Sequence, residues 1–279
     1  MSDLIAIDAR KRDLEKTCLN GILKRVDVRN AKLLRGIDPH ALQQALANAR
    51  ITQLQRKGKY LLLQTDRGQT LIVSMQEDAD LACVPYPATE HSADAGLILT
   101  FDDGHTLDLR VPSMNDLFYY FSTTDERLMD PLKTVGPDPR EMTFMEFRKA
   151  LGERTEPSFP IWQALQSQHL ISGLDPALAD EICFQGRIRP DRPVGKLLRA
   201  EWERLYDKMQ KILKAVSEAN GNMEELDKRG FLMPRRGNDR GCPSGEGIAV
   251  LHFTPSQTSY YCPSCQEDAP WEGKKANFW

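Results

Sequence analysis

Apolar residues at Leu4, Ile7, Leu14, Cys18 and Ile22 recur near the helical period, so the chain is expected to open on a helix. After Asn20-Gly21 the spacing becomes strand-like: Ile22 to Val28 alternates, Ile51 to Gln64 carries Lys59-Tyr-Leu-Leu-Leu, and Leu71-Ile-Val-Ser-Met follows. Leu97-Ile-Leu-Thr-Phe and Leu107-Asp-Leu-Arg-Val flank Asp103-Gly104, a turn pair that accepts the positive φ of a tight hairpin. His40 to Asn48 fits a short helix between the strand groups. These runs predict a β-rich first domain, a sandwich with a leading helix. Gly136-Pro-Asp-Pro139 reads as the loop that ends it.

Helical spacing then takes over. Thr143 is placed to cap Phe144 to Leu151, and Ile161 to Gln168 forms another short helix. Asp175-Pro176 is a start signal for Ala177 to Phe184, since Asp caps the free N–H groups and Pro fits the first helical position. Lys196 to Ala219 predicts a long amphipathic helix with Leu197, Leu198, Trp202, Leu205, Met209, Leu213 and Val216 on its apolar stripe. Strands are expected near Gly247 to Phe253 and Thr258 to Tyr261. The fold class is α+β: a sandwich over 1–135, a helical domain over 136–241, and a hairpin with tail over 242–279.

Length and composition change this picture little. With 279 residues, 41% hydrophobic and 28% charged, two moderate cores are the better expectation than one. No apolar run approaches the roughly 20 residues of a membrane span. Met1-Ser-Asp-Leu-Ile-Ala-Ile-Asp lacks a basic segment followed by an apolar one, so no signal peptide is read there. Six scattered cysteines do not make a disulfide framework; Cys18, Cys83 and Cys183 read as small buried residues, and an intracellular, reducing location is expected, cytoplasmic or nuclear.

The net charge of −3 is unhelpful for a nucleic-acid binder, but its distribution is uneven. Eight acids and no Lys or Arg lie between Gln76 and Leu109. Arg187, Arg189, Arg192, Lys196 and Arg199 stand against Asp191 alone, and Lys228, Arg229, Arg235, Arg236 and Arg240 against Asp239. Any polyanion contact is therefore assigned to the second half.

Chemistry is concentrated near the end of the chain. Cys242-Pro-Ser-Gly245 is followed after sixteen residues by Cys262-Pro-Ser-Cys265. That is the spacing of a zinc ribbon, in which two short thiolate turns face each other across a hairpin, with Gly245 where the fourth thiolate belongs. His252 lies inside the ribbon but away from the ligand turns. A weak or empty zinc site is expected, held by Cys242, Cys262 and Cys265, with no other cofactor.

Five segments in order resemble the formamidopyrimidine-DNA glycosylase / endonuclease VIII (Fpg/Nei) repair enzymes. Arg56-Lys-Gly-Lys59-Tyr-Leu-Leu resembles R-R-G-K-Y-L-L, and Val135-Gly-Pro-Asp-Pro resembles L-G-P-E-P. Leu170-Ile-Ser-Gly-Leu-Asp-Pro176-Ala-Leu-Ala-Asp180-Glu181 resembles the V-V-A-G-I-G-N-I-Y-A-D-E of the helix–two-turns–helix, and Gly186-Arg-Ile-Arg-Pro-Asp-Arg-Pro193 resembles the segment after it. Ser259-Tyr-Tyr-Cys-Pro-Ser-Cys-Gln266 resembles the ribbon's T-Y-F-C-P-x-C-Q. The resemblance implies a sandwich, a helix–two-turns–helix domain and a ribbon-like hairpin. It also implies base-excision repair, with DNA as the partner of a monomer.

The family's chemistry is where the sequence departs. Its enzymes begin P-E-L-P-E, using the proline amine as nucleophile and the glutamate to move protons. Here the positions hold Ser2, Asp3 and Ala6. The duplex-wedging segments align with Ser74 to Ala79, putting Glu77 at a methionine position, and with Val111 to Asp116, putting Met114-Asn115 at an Arg-Phe pair. Asn becomes Pro176, and the ribbon's phosphate-binding arginine becomes Gln257; Lys59 stands unchanged and, by the resemblance, is counted with Ser2 and Asp3 among the catalytic positions.

Three readings follow. The preferred one is a catalytically degenerate homologue that binds nucleic acid weakly through Lys59, Arg187, Arg189, Arg192, Arg235, Arg236 and Arg240, with Gln257 at the ribbon tip. The second is an active glycosylase/AP lyase using the Ser2 amine and Asp3. The third is a repurposed scaffold that binds a protein partner.

Overall fold

The structure, a computed structural model, describes residues 3–75, 80–86, 91, 94–110, 118–122, 130–238, 240–244 and 247–266. The chain forms two compact units, Met1–Thr134 and Val135–Trp279. Among the described residues, no helix is long and apolar enough to cross a membrane.

The first unit opens on α1 (Leu4–Cys18), with Leu4, Ile5, Ile7, Leu14 and Cys18 buried, so the helical spacing of the first residues is realised. Two sheets follow. One has four antiparallel strands in the order β1-β7-β8-β6: β1 (Leu23–Val28), β6 (Asp80–Val84), β7 (Ala95–Phe101) and β8 (Thr106–Arg110). The other runs β2-β9-β5-β4-β3, with β2 (Leu34–Arg35), β3 (Ile51–Lys57), β4 (Tyr60–Thr65), β5 (Gln69–Ser74) and β9 (Phe118–Ser122). The apolar stretch from Ile51 to Gln64 is thus two strands, folded back at Gly58, whose φ of +58° a residue with a Cβ rarely adopts. Asp103-Gly104 makes the foreseen β7–β8 turn, with Gly104 at φ +90°.

The core of this unit lies between the sheets. Leu61 and Leu63 of β4, Leu71 and Val73 of β5, and Leu97, Leu99, Leu107 and Leu109 of β7 and β8 form one buried cluster with Ile7 and Leu14. Leu42 and Leu46 of α2 (Pro39–Leu46) complete it. Leu62 and Ile72 point the other way, as strand alternation requires, and pack with Leu132 of α3 (Asp130–Lys133). Cys18 is fully buried, but Cys83 is only half-buried because β6 is an edge strand.

The second unit begins with a close backbone fit. Gly136 N–H donates to Gln168 O at 2.7 Å, and a Cβ on Gly136 would sit 2.8 Å from the carbonyl carbon of Leu170. The opening Val-Gly-Pro-Asp-Pro segment is therefore seated on the turn of the helix–two-turns–helix, where Ser172 also donates to Pro137 O. Thr143 and Glu146 form a reciprocal capping box at α4 (Phe144–Arg148). After α5 (Ile161–Gln166), Gln168 organises the turn: its Oε1 accepts from Gly173 N–H at 2.7 Å and its Nε2 donates to Leu174 O.

Asp175 then caps α6 (Pro176–Gly186) by accepting from Leu178 N–H at 2.8 Å. This helix is buried nearly all round and packs against α5 and α7 (Arg199–Glu218). The long helix starts three residues later than its pattern suggested. Lys196 ends a 3₁₀ turn, Leu197 lies outside the helix, and Leu198 is 53% exposed at its N-cap. A short α8 (Met223–Lys228) precedes the hairpin of β10 (Ala249–Thr254) and β11 (Gln257–Tyr261). Trp162 of α5 stacks on Phe253 of β10 with ring centres 4.9 Å apart.

Candidate nucleic-acid interface and metal centre

At the start of the chain, Asp3 is the N-cap of α1, is 3% exposed, and accepts from Ala6 N–H through Oδ1 at 2.7 Å. Ser2 lies outside the described residues, as do Glu77, Met114, Asn115 and Gly245. Lys59 sits half-buried at the tip of the β3–β4 hairpin, where its carbonyl accepts from Met75 N–H at 2.8 Å. The tip is fixed from below by Arg56, which bonds Asp8 Oδ1 of α1 at 2.7 Å and Gly58 O at 3.0 Å. The arginine of the Arg-Lys-Gly-Lys motif is thus a brace between helix and hairpin.

The basic residues of the second unit are heavily committed to carboxylates of the same unit. Arg189 grips Asp191 with two bonds (3.0 and 2.7 Å) and lies over the Tyr261 ring. Arg192 meets Glu201 Oε2 at 3.2 Å, and Glu201 in turn accepts from Leu198 N–H to cap α7. Arg235 and Arg240 share Asp227, at 2.6 and 3.1 Å. Arg236 bonds Asp180 Oδ2 at 2.6 Å and stacks over Tyr260. Gln257 accepts from Gln163 Nε2 at 2.9 Å. The Arg240 side chain stays 66% exposed despite its pairing.

Arg187 occupies the left-handed conformation (φ +53°) that ends α6. Around it stand two cations absent from the candidates read off the sequence, Arg204 and Lys208. Burial comes first in holding both below their ordinary pKa, and the positive charge of Arg187 adds to it. Their i, i+4 spacing on one flank of α7 was the available signal; their meeting with Arg187 depends on how α6 packs on α7.

The acids of the Ala-Asp-Glu motif are tethers. Asp180 is fully buried and accepts from Arg236 Nε, Ser259 Oγ at 2.6 Å and Tyr260 N–H at 3.1 Å, so it ties β11 to α6. Burial raises its pKa to about 6 against the opposing pull of Arg236. Glu181, also fully buried, accepts from Gln185 Nε2 and Met233 N–H, each at 2.8 Å, with no cation paired to it among the described residues, and burial raises it to about 7. Both folded pKa values lie above the unfolded ones, so the stability linked to these protons is complete below about pH 4 and is lost as pH rises through 6 to 7. Lowering pH from 7.5 to 5.5 should therefore stabilise the second unit. Glu181→Gln should flatten that gain by on the order of 1–2 kcal/mol. All four tryptophans belong to this unit, so urea unfolding followed by tryptophan fluorescence at the two pH values checks it.

The three ribbon cysteines come together. Their sulfur atoms all lie within 4.8 Å of one another, with Cys242 Sγ 3.7 Å from Cys265 Sγ. That separation is close to the roughly 3.8 Å edge of a tetrahedron with zinc–sulfur bonds of about 2.3 Å. Cys262 is fully buried, its N–H held by Gln266 Oε1 at 2.8 Å, while Gln266 Nε2 donates to Ile188 O. The Cys265 thiol is pushed far up, first by its bond to Cys242 and then by burial, so it needs a cation to ionise. The donor set fits a metal ion. His252 lies away from it, paired with Thr258 Oγ1 across the hairpin at 3.1 Å.

Comparison with known proteins agrees with this anatomy. The model of the formamidopyrimidine-DNA glycosylase N-terminal domain matches residues 1–112. Formamidopyrimidine-DNA glycosylase of Heliobacterium modesticaldum is 27% identical over 96% of this chain and all of its own length. That of Mycoplasma genitalium is 26% identical, covering 96% of each chain. The crystal structure of MutM (Fpg) from Thermus thermophilus superposes with a TM-score of 0.79 at 23% identity, over 96% of this chain and all of that one. The Lactococcus lactis enzyme, solved non-covalently bound to DNA containing an AP site, gives 0.79 at 20% identity over 95% of this chain and all of its own. With sandwich, helix–two-turns–helix and cysteine hairpin in the same order, the chain is similar to the formamidopyrimidine-DNA glycosylases over nearly its whole length, and its first 112 residues match the model of their N-terminal domain.

Proposed function

We propose that the chain is a nucleic-acid-binding member of the Fpg/Nei family in which glycosylase and AP-lyase chemistry is absent or greatly reduced. The observation that carries this reading is the state of the acid at position 3. A group that shuttles protons must reach the reacting sugar, whereas Asp3 is buried and caps α1 through Ala6 N–H. The second family glutamate aligns with Ala6, which carries no carboxylate.

Weak binding is supported by the ion pairs of the second unit. A phosphate approaching Arg189, Arg192, Arg235 or Arg236 competes with a carboxylate already in place. Cys242, Cys262 and Cys265 would hold zinc with three thiolates and solvent in the fourth position. The ion would cross-link the base of the hairpin to the preceding loop, more weakly than four thiolates would.

Binding is expected to be sequence-independent, with a Kd on the order of 10⁻⁴–10⁻⁶ M at physiological salt and little preference for an abasic duplex over an intact one. Titrations of both duplexes at two salt concentrations test this. Lys208→Gln and Arg240→Gln should each flatten the log–log salt slope by about 1 without unfolding the chain. Tight, lesion-selective binding insensitive to both changes would count against the proposal. No binding at low salt would leave the protein-scaffold reading in its place.

A further inference from the structure

A second group of metal-ligand side chains lies far from the ribbon in sequence, in the first unit. Cys18 ends α1, Cys83 is on edge strand β6, and His105 follows the β7–β8 turn; one ligand atom from each lies within 4.8 Å of the other two. The imidazole is held from two sides. It stacks on Phe101 with ring centres 4.2 Å apart, and its Nδ1 is bonded to the Asp103 carboxylate. The other ring nitrogen, Nε2, is buried and has no hydrogen-bond partner among the described residues.

That arrangement is chemically specific. A carboxylate on Nδ1 places the proton there and leaves the Nε2 lone pair as an acceptor. A buried acceptor with nothing to accept from costs free energy, and the nearby sulfurs are at best weak donors. Two soft sulfurs and one imidazole nitrogen are a donor set for zinc and similar thiophilic ions. Tetrahedral closure would bring the three atoms to within about 3.8 Å of one another, a contraction of no more than about 1 Å.

We propose that Cys18, Cys83 and His105 form a binding site for a thiophilic divalent metal ion, with Asp103 orienting the imidazole. On binding, each thiol releases its proton to solvent as its sulfur bonds the ion, and His105 donates the Nε2 lone pair. The half-buried Cys83 and the sheet edge give the ion its way in, and solvent completes the coordination. The ion joins the end of α1 to the edge of the four-stranded sheet.

The test uses the full chain, reduced, stripped with chelator and titrated with Co²⁺, whose sulfur charge-transfer bands report thiolate ligation. Cys83→Ser and His105→Gln should each lose the tetrahedral cobalt spectrum of one metal equivalent, and Asp103→Asn should weaken that equivalent about 10- to 100-fold. In a Cys262→Ser/Cys265→Ser variant, which removes the ribbon thiols, the equivalent should persist, and Zn²⁺ should still protect Cys83 from alkylation. Unchanged cobalt stoichiometry in Cys83→Ser, or zinc that leaves Cys83 freely alkylated, overturns the site. So does a Cys18–Cys83 disulfide in protein that takes up no metal there once reduced. Cys83 is on a partly exposed edge, so circular dichroism of Cys83→Ser separates loss of metal from loss of fold.

Discussion

Borohydride added to the protein on abasic-site DNA is expected to leave at least about 100-fold less covalent adduct than a relative carrying proline and glutamate at positions 2 and 3. The trapped species is a Schiff base, which requires an unprotonated amine held against the sugar carbon and an acid to manage the departing oxygen. With Met1 removed, Ser2 would supply a primary amine with an unperturbed pKa of about 7.7–8.0, so nucleophile supply alone would not be the obstacle. The acid is: Asp3 is one methylene shorter than glutamate and its Oδ1 is taken up by the first turn of α1. Ser2→Pro/Asp3→Glu should restore only part of the activity, because Glu77 and Met114-Asn115 would remain at the positions that align with the family's wedge segments. Efficient trapping by the natural chain, abolished when the Ser2 amine is blocked, would make it an active lyase.

Asp180→Ala should be the most damaging single change in the second unit, at about 3 kcal/mol. It strips the acceptor from three donors at once, two of them on β11 and the third the Arg236 guanidinium. Some of the charge penalty is relieved because the Arg236 side chain is 22% exposed, which keeps the figure at the low end of buried pairs. Hydrogen exchange should show β10 and β11 losing protection before α6 and α7 do, and the ribbon thiols should become more reactive. Equal loss across the whole unit would mean that Asp180 supports the helices rather than the hairpin.

The elements legible in the sequence were those whose burial is decided locally. Alternation marked β1, β5, β7 and β8, and caps marked α4 and α6, because Thr143 and Asp175 satisfy N–H groups within three residues. Strands β2 and β9 leave no such mark: β2 is two residues long and exists only by parallel pairing with β9, a partner more than eighty residues away. Strand β6 was hidden inside the acidic run. Leu198 misled because an apolar residue at helical spacing is no guide to where a helix begins; Glu201 sets that point by capping Leu198 N–H.

The candidate site was legible as chemistry and not as pairing. Motif spacing brought Cys242, Cys262 and Cys265 together as expected of a ribbon. Charge runs located Arg235 and Arg236, but nothing local tells that Asp180, fifty-six residues earlier, engages one of them. Cys18, Cys83 and His105 looked unrelated for the same reason: only the packing of α1 on the edge of the sheet makes them neighbours.

The placement of Asp3 at the head of α1 has a consequence for anyone dissecting this protein by mutation. Alanine at that position removes a negative charge and a helix cap together, and the lost cap alone is worth about 1 kcal/mol. A defect in Asp3→Ala would therefore be uninterpretable, since loosened architecture and lost acidity predict the same outcome. Asparagine keeps the oxygen that Ala6 N–H needs and discards only the charge, so Asp3→Asn beside Asp3→Ala separates the two roles within a single side chain.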